Sequence, residues 1–180
     1  DAHRERLLYV FGELEEVARL PGPKLVFAHI VSPHRPFVFD AQGNPVADDY
    51  GWEPSDLGLD AYREGYREQV TYLNSRMTRV LQEIFSNSSH PPVIVMQGDH
   101  GPEEGSSQDR MHILNASYLA GIEANTNHEG VSPVNTFRYV LSTLFGAELA
   151  LLDDVSYFST YDRPFDYSIV SDECQGEPDP

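Results

Sequence analysis

Residues 93–102, Val-Ile-Val-Met-Gln-Gly-Asp-His-Gly-Pro, constrain this chain more than any other stretch. Four consecutive apolar residues predict a buried strand, which Gly98 and the Gly101-Pro102 pair end abruptly. In an open α/β sheet, ligands bind outside the carboxyl ends of the strands. A carboxylate beside an imidazole at such an end, flanked by glycines that let the backbone turn tightly, offers two metal-ligating groups on one short loop. The competing reading is a plain turn in which Asp99 caps backbone amides and His100 is merely exposed.

The pattern around this stretch alternates. Leu7, Val10, Phe11, Leu14, Val17 and Leu20 recur at three- and four-residue spacing and predict an amphipathic helix over 3–20, stopped by Pro21-Gly22-Pro23. Residues 25–31 are apolar on both faces, the pattern of a buried parallel strand. Irregular Gly/Pro/Asp-rich chain follows over 32–59, a length usual for a functional or mobile loop. Asp60 is then the expected cap of a long helix whose stripe runs through Tyr62, Tyr66, Val70, Leu73, Met77, Val80 and Ile84. Strand, long helix and strand together predict a right-handed βαβ crossover with parallel strands.

Further along, Met111–Leu119 reads as another strand. Ser132-Pro133 supplies an N-cap and a first-turn proline to a helix that buries Val134, Phe137, Val140, Leu141, Leu144 and Phe145, with Gly146 as terminator. Residues 147–170 read as loop with short strand pieces, and Tyr157, Phe158, Tyr161, Phe165 and Tyr167 as packing residues. Residues 171–180 read as a frayed acidic tail. The expected fold class is α/β, with 1–180 forming one domain around a mainly parallel sheet covered by helices on both faces.

Charge narrows the function classes. A net charge of −17, from 29 acidic against 12 basic side chains with Lys24 the only lysine, repels nucleic acid and anionic lipid at long range. Nucleic-acid binding is therefore not expected. An anionic substrate needs local positive charge, which a divalent metal with arginines beside it supplies. Cys174 is the only cysteine, so an internal disulfide and a cysteine-based zinc site are excluded. No run approaches the apolar length of a membrane span. No signal-peptide pattern and no initiating Met open the chain, so a piece of a longer product is expected.

A second polar cluster follows the first apolar run: His29, then Ser32-Pro33-His34-Arg35-Pro36-Phe37. His34 and Arg35 would fall at the same sheet edge as Asp99 and His100 if the two runs are neighbouring parallel strands. His34 can then donate to a phosphate or sulfate oxygen or protonate a leaving group. His29, inside the run, reads more simply as a core histidine, and Arg35 has an equally simple reading as a solvated loop residue.

Taken together, residues 27–29 and 33–40, Gln97-Gly98-Asp99-His100-Gly101-Pro102 and Ser132-Pro133-Val134-Asn135-Thr136-Phe137-Arg138 resemble the sulfatase-like branch of the alkaline phosphatase superfamily. The resemblance spans about residues 20–160 and is closest to membrane-anchored sulfatases and phosphoglycerol or phosphoethanolamine transferases. It implies an alkaline-phosphatase-like sheet, here as a partial domain. It implies that Asp99 and His100 ligate a divalent metal (zinc, manganese, magnesium or calcium), that His34 touches the anionic group, and that Arg110 helps bind it. It further implies an extracytoplasmic domain of a membrane-anchored parent, touching the membrane only through an anchor outside these residues.

One departure matters. Family members carry an earlier acidic metal ligand and a Ser, Thr or modified Cys nucleophile, and residues 1–20, read as a plain helix, offer neither. The chain thus resembles the carboxyl-terminal half of a catalytic domain, with no catalytic nucleophile of its own and the upstream half as its partner. The expected function is a metal-dependent hydrolase or transferase acting on sulfate or phosphate esters, inactive as this chain alone. The alternatives are a non-catalytic binding module that keeps the sulfatase-like fold and an unrelated α/β metal hydrolase.

Overall fold

Burial of one face of the first helix organises the amino-terminal part of the chain. The computed structural model describes residues 2–46, 58–102, 105–122 and 132–170. They fall into two compact units, Asp1–Pro92 and Val93–Pro180.

In the first unit, helix α1 (Ala2–Glu16) continues into a 3-10 turn (Val17–Arg19), and helix α2 covers Leu59–Asn87. Leu7 and Phe11, four residues apart, share one face of α1 and are buried. Phe11 packs with Leu73 and Val80 of α2, and Leu7 packs with Val38 and Phe39 of the intervening chain. At the same seam Glu15 is nearly buried between two arginines of α2. Its Oε1 lies 2.8 Å from Arg76 Nη2, off the hydrogen-bonding direction and so an ion pair only, and its Oε2 lies 3.2 Å from Arg79 Nη2. The Arg76 guanidinium also stands 5.5 Å from the centre of the Phe11 ring. Arg19 joins Glu16 to Glu83 across the exposed end of the seam.

Gly58, with a φ of +71°, leads into α2. Asp60 therefore sits in the first helical turn and not at the cap, where its charge still favours the helix amino terminus. The chain over 37–39 is held against α2 by Gln69. Its side chain is fully buried, accepts from Val38 N–H at 2.8 Å and donates to the His34 carbonyl at 3.4 Å. Beyond it, Asp40 closes a turn by accepting from the amides of Gln42 and Asn44 and from the Asn44 side chain. That side-chain bond, with the backbone bonds behind it, keeps the Asp40 carboxyl below its usual range. A Cβ at Gly43 would lie 2.3 Å from the Tyr72 ring, so the turn can approach α2 this closely only with glycine there.

The expected strand over 25–31 does not form. The segment has no regular structure and pairs with no strand, and Leu25 and Phe27 are 98% and 91% exposed. A strand apolar on both faces is stable only with neighbours on both edges and cover on both faces. Among the described residues of this unit no strand stands beside it. His29 is accordingly exposed and is no core residue. Residues 47–57 of the expected long loop lie outside the described residues.

The second unit contains β1 (Val93–Gln97), a 3-10 turn (Asp109–Met111), β2 (Asn115–Leu119), helix α3 (Pro133–Phe145), β3 (Ser156–Thr160) and β4 (Arg163–Val170). β1 pairs antiparallel with β2, from Val93 opposite Leu119 to Gln97 opposite Asn115. β3 and β4 form a second antiparallel pair. The expected α/β fold, a mainly parallel sheet with helices on both faces, is therefore overturned: the described residues form two small antiparallel sheets and no parallel one. The physical reason lies in the connection between β1 and β2. The bonds Gly98 N–H to Leu114 O, 2.8 Å, and Gly101 N–H to Arg110 O, 2.7 Å, turn the chain straight back on itself.

Helix α3 also differs from expectation. Its ends are as anticipated, with Ser132 at the cap position, Pro133 in the first turn and Gly146 left-handed at φ 67°. The Ser132 hydroxyl makes no cap bond; its carbonyl takes the amides of Asn135 and Thr136. The buried residues are Asn135, Thr136 and Val140, whereas Val134, Phe137, Leu141 and Phe145 are exposed. Asn135 exchanges two hydrogen bonds of 2.9 Å with the backbone of Leu152, and Arg138 Nη1 donates to Ala150 O, so the following segment lies along the polar side of the helix. Tyr161 and Phe165 of the hairpin are exposed and not packed as expected, while Tyr157 and Tyr167, also exposed, meet edge to face with ring centres 6.4 Å apart. The 171–180 tail lies outside the described residues.

Replacing Gln69 by leucine keeps the volume of the buried side chain but leaves the Val38 N–H without its acceptor. The expected loss of unfolding free energy is about 1–3 kcal/mol, read as a lower urea midpoint at unchanged slope. An unchanged midpoint would show that Gln69 does not anchor this segment.

Candidate functional site

The Asp-His loop is built by close backbone packing. Gly101 is buried, and a Cβ at this position would lie 1.9 Å from Asp109 O and 2.9 Å from His112 O. Only glycine allows residues 98–101 to lie against 109–114 at this distance. The approach brings the backbone of Arg110 against the loop, its carbonyl accepting the Gly101 amide directly after His100. Asp99, His100 and Arg110 therefore share one tight loop.

Within the pair, the His100 amide donates to Asp99 Oδ1 at 3.0 Å, so the backbone itself orients the carboxylate. His100 Nδ1 lies 2.6 Å from Gly101 O. A proton on Nδ1 satisfies that carbonyl and leaves the lone pair on Nε2, which stands 3.8 Å from Asp99 Oδ2. An imidazole whose second nitrogen is tied to a backbone carbonyl is the arrangement that metal-ligating histidines use to fix tautomer and ring orientation. Asp99 and His100 are the residues that would hold a divalent ion here, were one bound. Carboxylate and imidazole suit zinc or manganese better than calcium. Asp99 is almost wholly exposed and His100 about one-third so, which leaves the donors accessible. Among the described residues no group of three or more His, Cys, Asp or Glu side chains converges on a point where a metal could be held.

Behind the loop, Gln97 Nε2 donates to Asn115 Oδ1 at 3.2 Å and to Thr136 Oγ1 at 3.0 Å, joining β1, β2 and α3 beneath it. These supporting residues went unseen in the sequence because their partners lie 18 and 39 positions away. Asp109 was legible but passed over. Ser106 and Asp109 have the spacing of a capping box, and the structure ties them reciprocally: Ser106 N–H donates to Asp109 Oδ2 at 2.7 Å and Asp109 N–H donates to Ser106 Oγ at 3.1 Å, while Ser106 Oγ itself donates to the same Oδ2 at 2.8 Å. The Ser106 hydroxyl is committed to that cap, which is a structural role.

His34, the other expected substrate contact, belongs to the first unit. Its Nδ1 lies 2.6 Å from Arg35 O, and its carbonyl is held by Gln69. The carboxyl end of a strand at 25–31, on which its placement rested, does not exist in this structure. No protein-family model, no curated protein and no solved structure matches the chain.

Gly101→Ala places a methyl group against backbone that cannot move independently. It is expected to destabilise the second unit by about 1–3 kcal/mol or more and to speed hydrogen exchange at the amides of Gly98 and Gly101. Gly12→Ala in the middle of α1, where a Cβ meets nothing within 4 Å, is the control. It should stabilise by about 0.5–1 kcal/mol. Equal effects at the two positions would contradict the close packing assigned to Gly101.

Proposed function

We propose that this chain is the carboxyl-terminal part of a metal-dependent hydrolase or transferase that acts on sulfate or phosphate esters. The observation that carries the reading is the Asp99–His100 pair. Its two donor atoms stand 3.8 Å apart, and the imidazole tautomer is set by the Gly101 carbonyl. The resemblance of residues 97–102 and 132–138 to sulfatase-like motifs supports the same assignment. Asp99 and His100 hold the ion, and Arg110 beside them offers positive charge to the anionic ester in a chain that is otherwise strongly acidic. The ion, when bound, neutralises charge on the group being transferred.

The nucleophile and the remaining ligands come, in this reading, from an upstream half of the same domain. The exposed apolar residues support such a partner. In the first unit Leu25 and Phe27, and in the second the Val134, Phe137, Leu141 and Phe145 face of α3, are exposed apolar surface of the kind that marks an interface. The parent is proposed to be an extracytoplasmic, membrane-anchored protein. No helix among the described residues is long and apolar enough to cross a membrane, and the anchor is placed outside them.

Elemental analysis of a chain extended upstream should give about one metal per chain, lost in Asp99→Ala. Turnover of an aryl sulfate or an aryl phosphodiester should appear in the extended chain, vanish in Asp99→Ala and be absent from the 180-residue chain alone. Unchanged metal content in the variant would sink the assignment. Turnover by the shorter chain that disappears in Ser106→Ala would move the active site to Ser106.

A further inference from the structure

The β3–β4 hairpin carries a surplus of chain on one strand. Phe158 stands opposite Ser168 and Thr160 opposite Arg163, so between the two pairs β3 has one residue, Ser159, and β4 has four, 164–167. The longer strand has to arch away from the shorter one, as strands do at a bulge. Arg163 and Asp166 lie within the arch, with Nη1 and Oδ2 3.5 Å apart. The hollow that this leaves holds about 280 Å³ and is lined by Phe158, Ser159, Thr160, Arg163, Asp166 and Ser168.

We propose that this hollow binds a neutral polyhydroxylated ring of the size of one monosaccharide. Its volume lies just under the roughly 300 Å³ at which pockets for drug-sized ligands begin, which is room for one small ring. Its charges cancel, one guanidinium against one carboxylate, so no surplus positive charge is present to draw an anion against the net −17 of the chain. The pair is exposed and joined by no hydrogen bond, hence weak. Its Arg163 N–H groups remain available as donors and its Asp166 oxygens as acceptors. Ser168 Oγ donates to Phe158 O at 3.3 Å and keeps its lone pairs, while the Ser159 and Thr160 hydroxyls bond to nothing among the described residues. A sugar ring presents the matching set: hydroxyls that both donate and accept, around a carbon skeleton whose C–H face can pack on the half-buried Phe158 ring. Binding there needs no metal at Asp99 and does not rest on the ester chemistry proposed above.

The test is a backbone-amide NMR titration of the 180-residue chain with methyl β-glucoside, methyl β-galactoside and N-acetylglucosamine in turn, and with inorganic phosphate as the charged comparison. At least one sugar should give saturating shifts at residues 158–160 and 163–168 while the amides of α1 stay still. Arg163→Gln and Asp166→Asn remove one charge each at exposed positions, so both variants should keep the sugar-free spectrum away from the hairpin. Each should weaken that sugar about tenfold. Shifts with none of the three sugars, or saturating shifts spread over both units, overturn the site. Phosphate binding as tightly as any sugar, or tighter, overturns the neutral ligand. Unchanged affinity in both variants overturns Arg163 and Asp166 as the recognising pair.

Discussion

The buried amide of Gln69 is the contact on which the placement of the first candidate residues depends. A fully buried polar side chain is tolerated only when its hydrogen bonds are made, and Gln69 makes them to the backbone of the segment that carries His34. Phe37, Val38 and Phe39 then bury beside it, and the Asp40 turn closes against Tyr72. The α1 seam follows from the same arrangement. Leu7 has a core to enter because Val38 and Phe39 are already held, and Glu15 can be nearly buried because Arg76 and Arg79 meet it. Such an ion pair adds little net stability, yet removing one partner leaves a costly charge, so it acts chiefly to fix the register of the two helices.

Helix α3 of the second unit buries polar side chains and leaves large apolar ones exposed. Asn135 and Thr136 of α3 are buried in hydrogen bonds to Leu152 and Gln97, while the Phe137 and Phe145 rings face outward. Hydrogen bonding to the local backbone has set the orientation of the helix, and the apolar face is left exposed. The 25–31 segment shows the same condition in the first unit. Both are surfaces whose burial would contribute on the order of 25 cal/mol per Å², which is ample to hold a further segment of chain.

Around the Asp-His pair, one backbone approach fixes both the packing and the orientation of the side chains. The glycine that lets the loop fold back also supplies the carbonyl that sets the His100 tautomer, and the same fold-back brings in Arg110. Stability of the loop therefore bears directly on the geometry of the pair. The Ser106–Asp109 cap closes the far side of the loop and removes Ser106 from consideration as a free hydroxyl.

Local signals were legible in the residues themselves. The spacing of Leu7, Phe11 and Leu14 specifies α1, the stripe from Tyr62 to Ile84 specifies α2, and Pro133 and Gly146 bound α3, because helix formation depends on neighbours within four positions. The Gly-Asp-His-Gly sequence likewise announced a tight turn. Strand pairing is decided differently. Residues 25–31 and 93–96 read alike as apolar runs, yet one pairs and the other does not, because a strand is stabilised by partners distant in sequence. The direction of the 93–97 pairing came from two backbone hydrogen bonds across the loop, and the buried face of α3 from side chains that found backbone partners seventeen residues away. Neither is written in periodicity. The sequence by itself determined which helices form and which groups could do chemistry; only the tertiary structure decided which faces those helices bury and which of those groups meet.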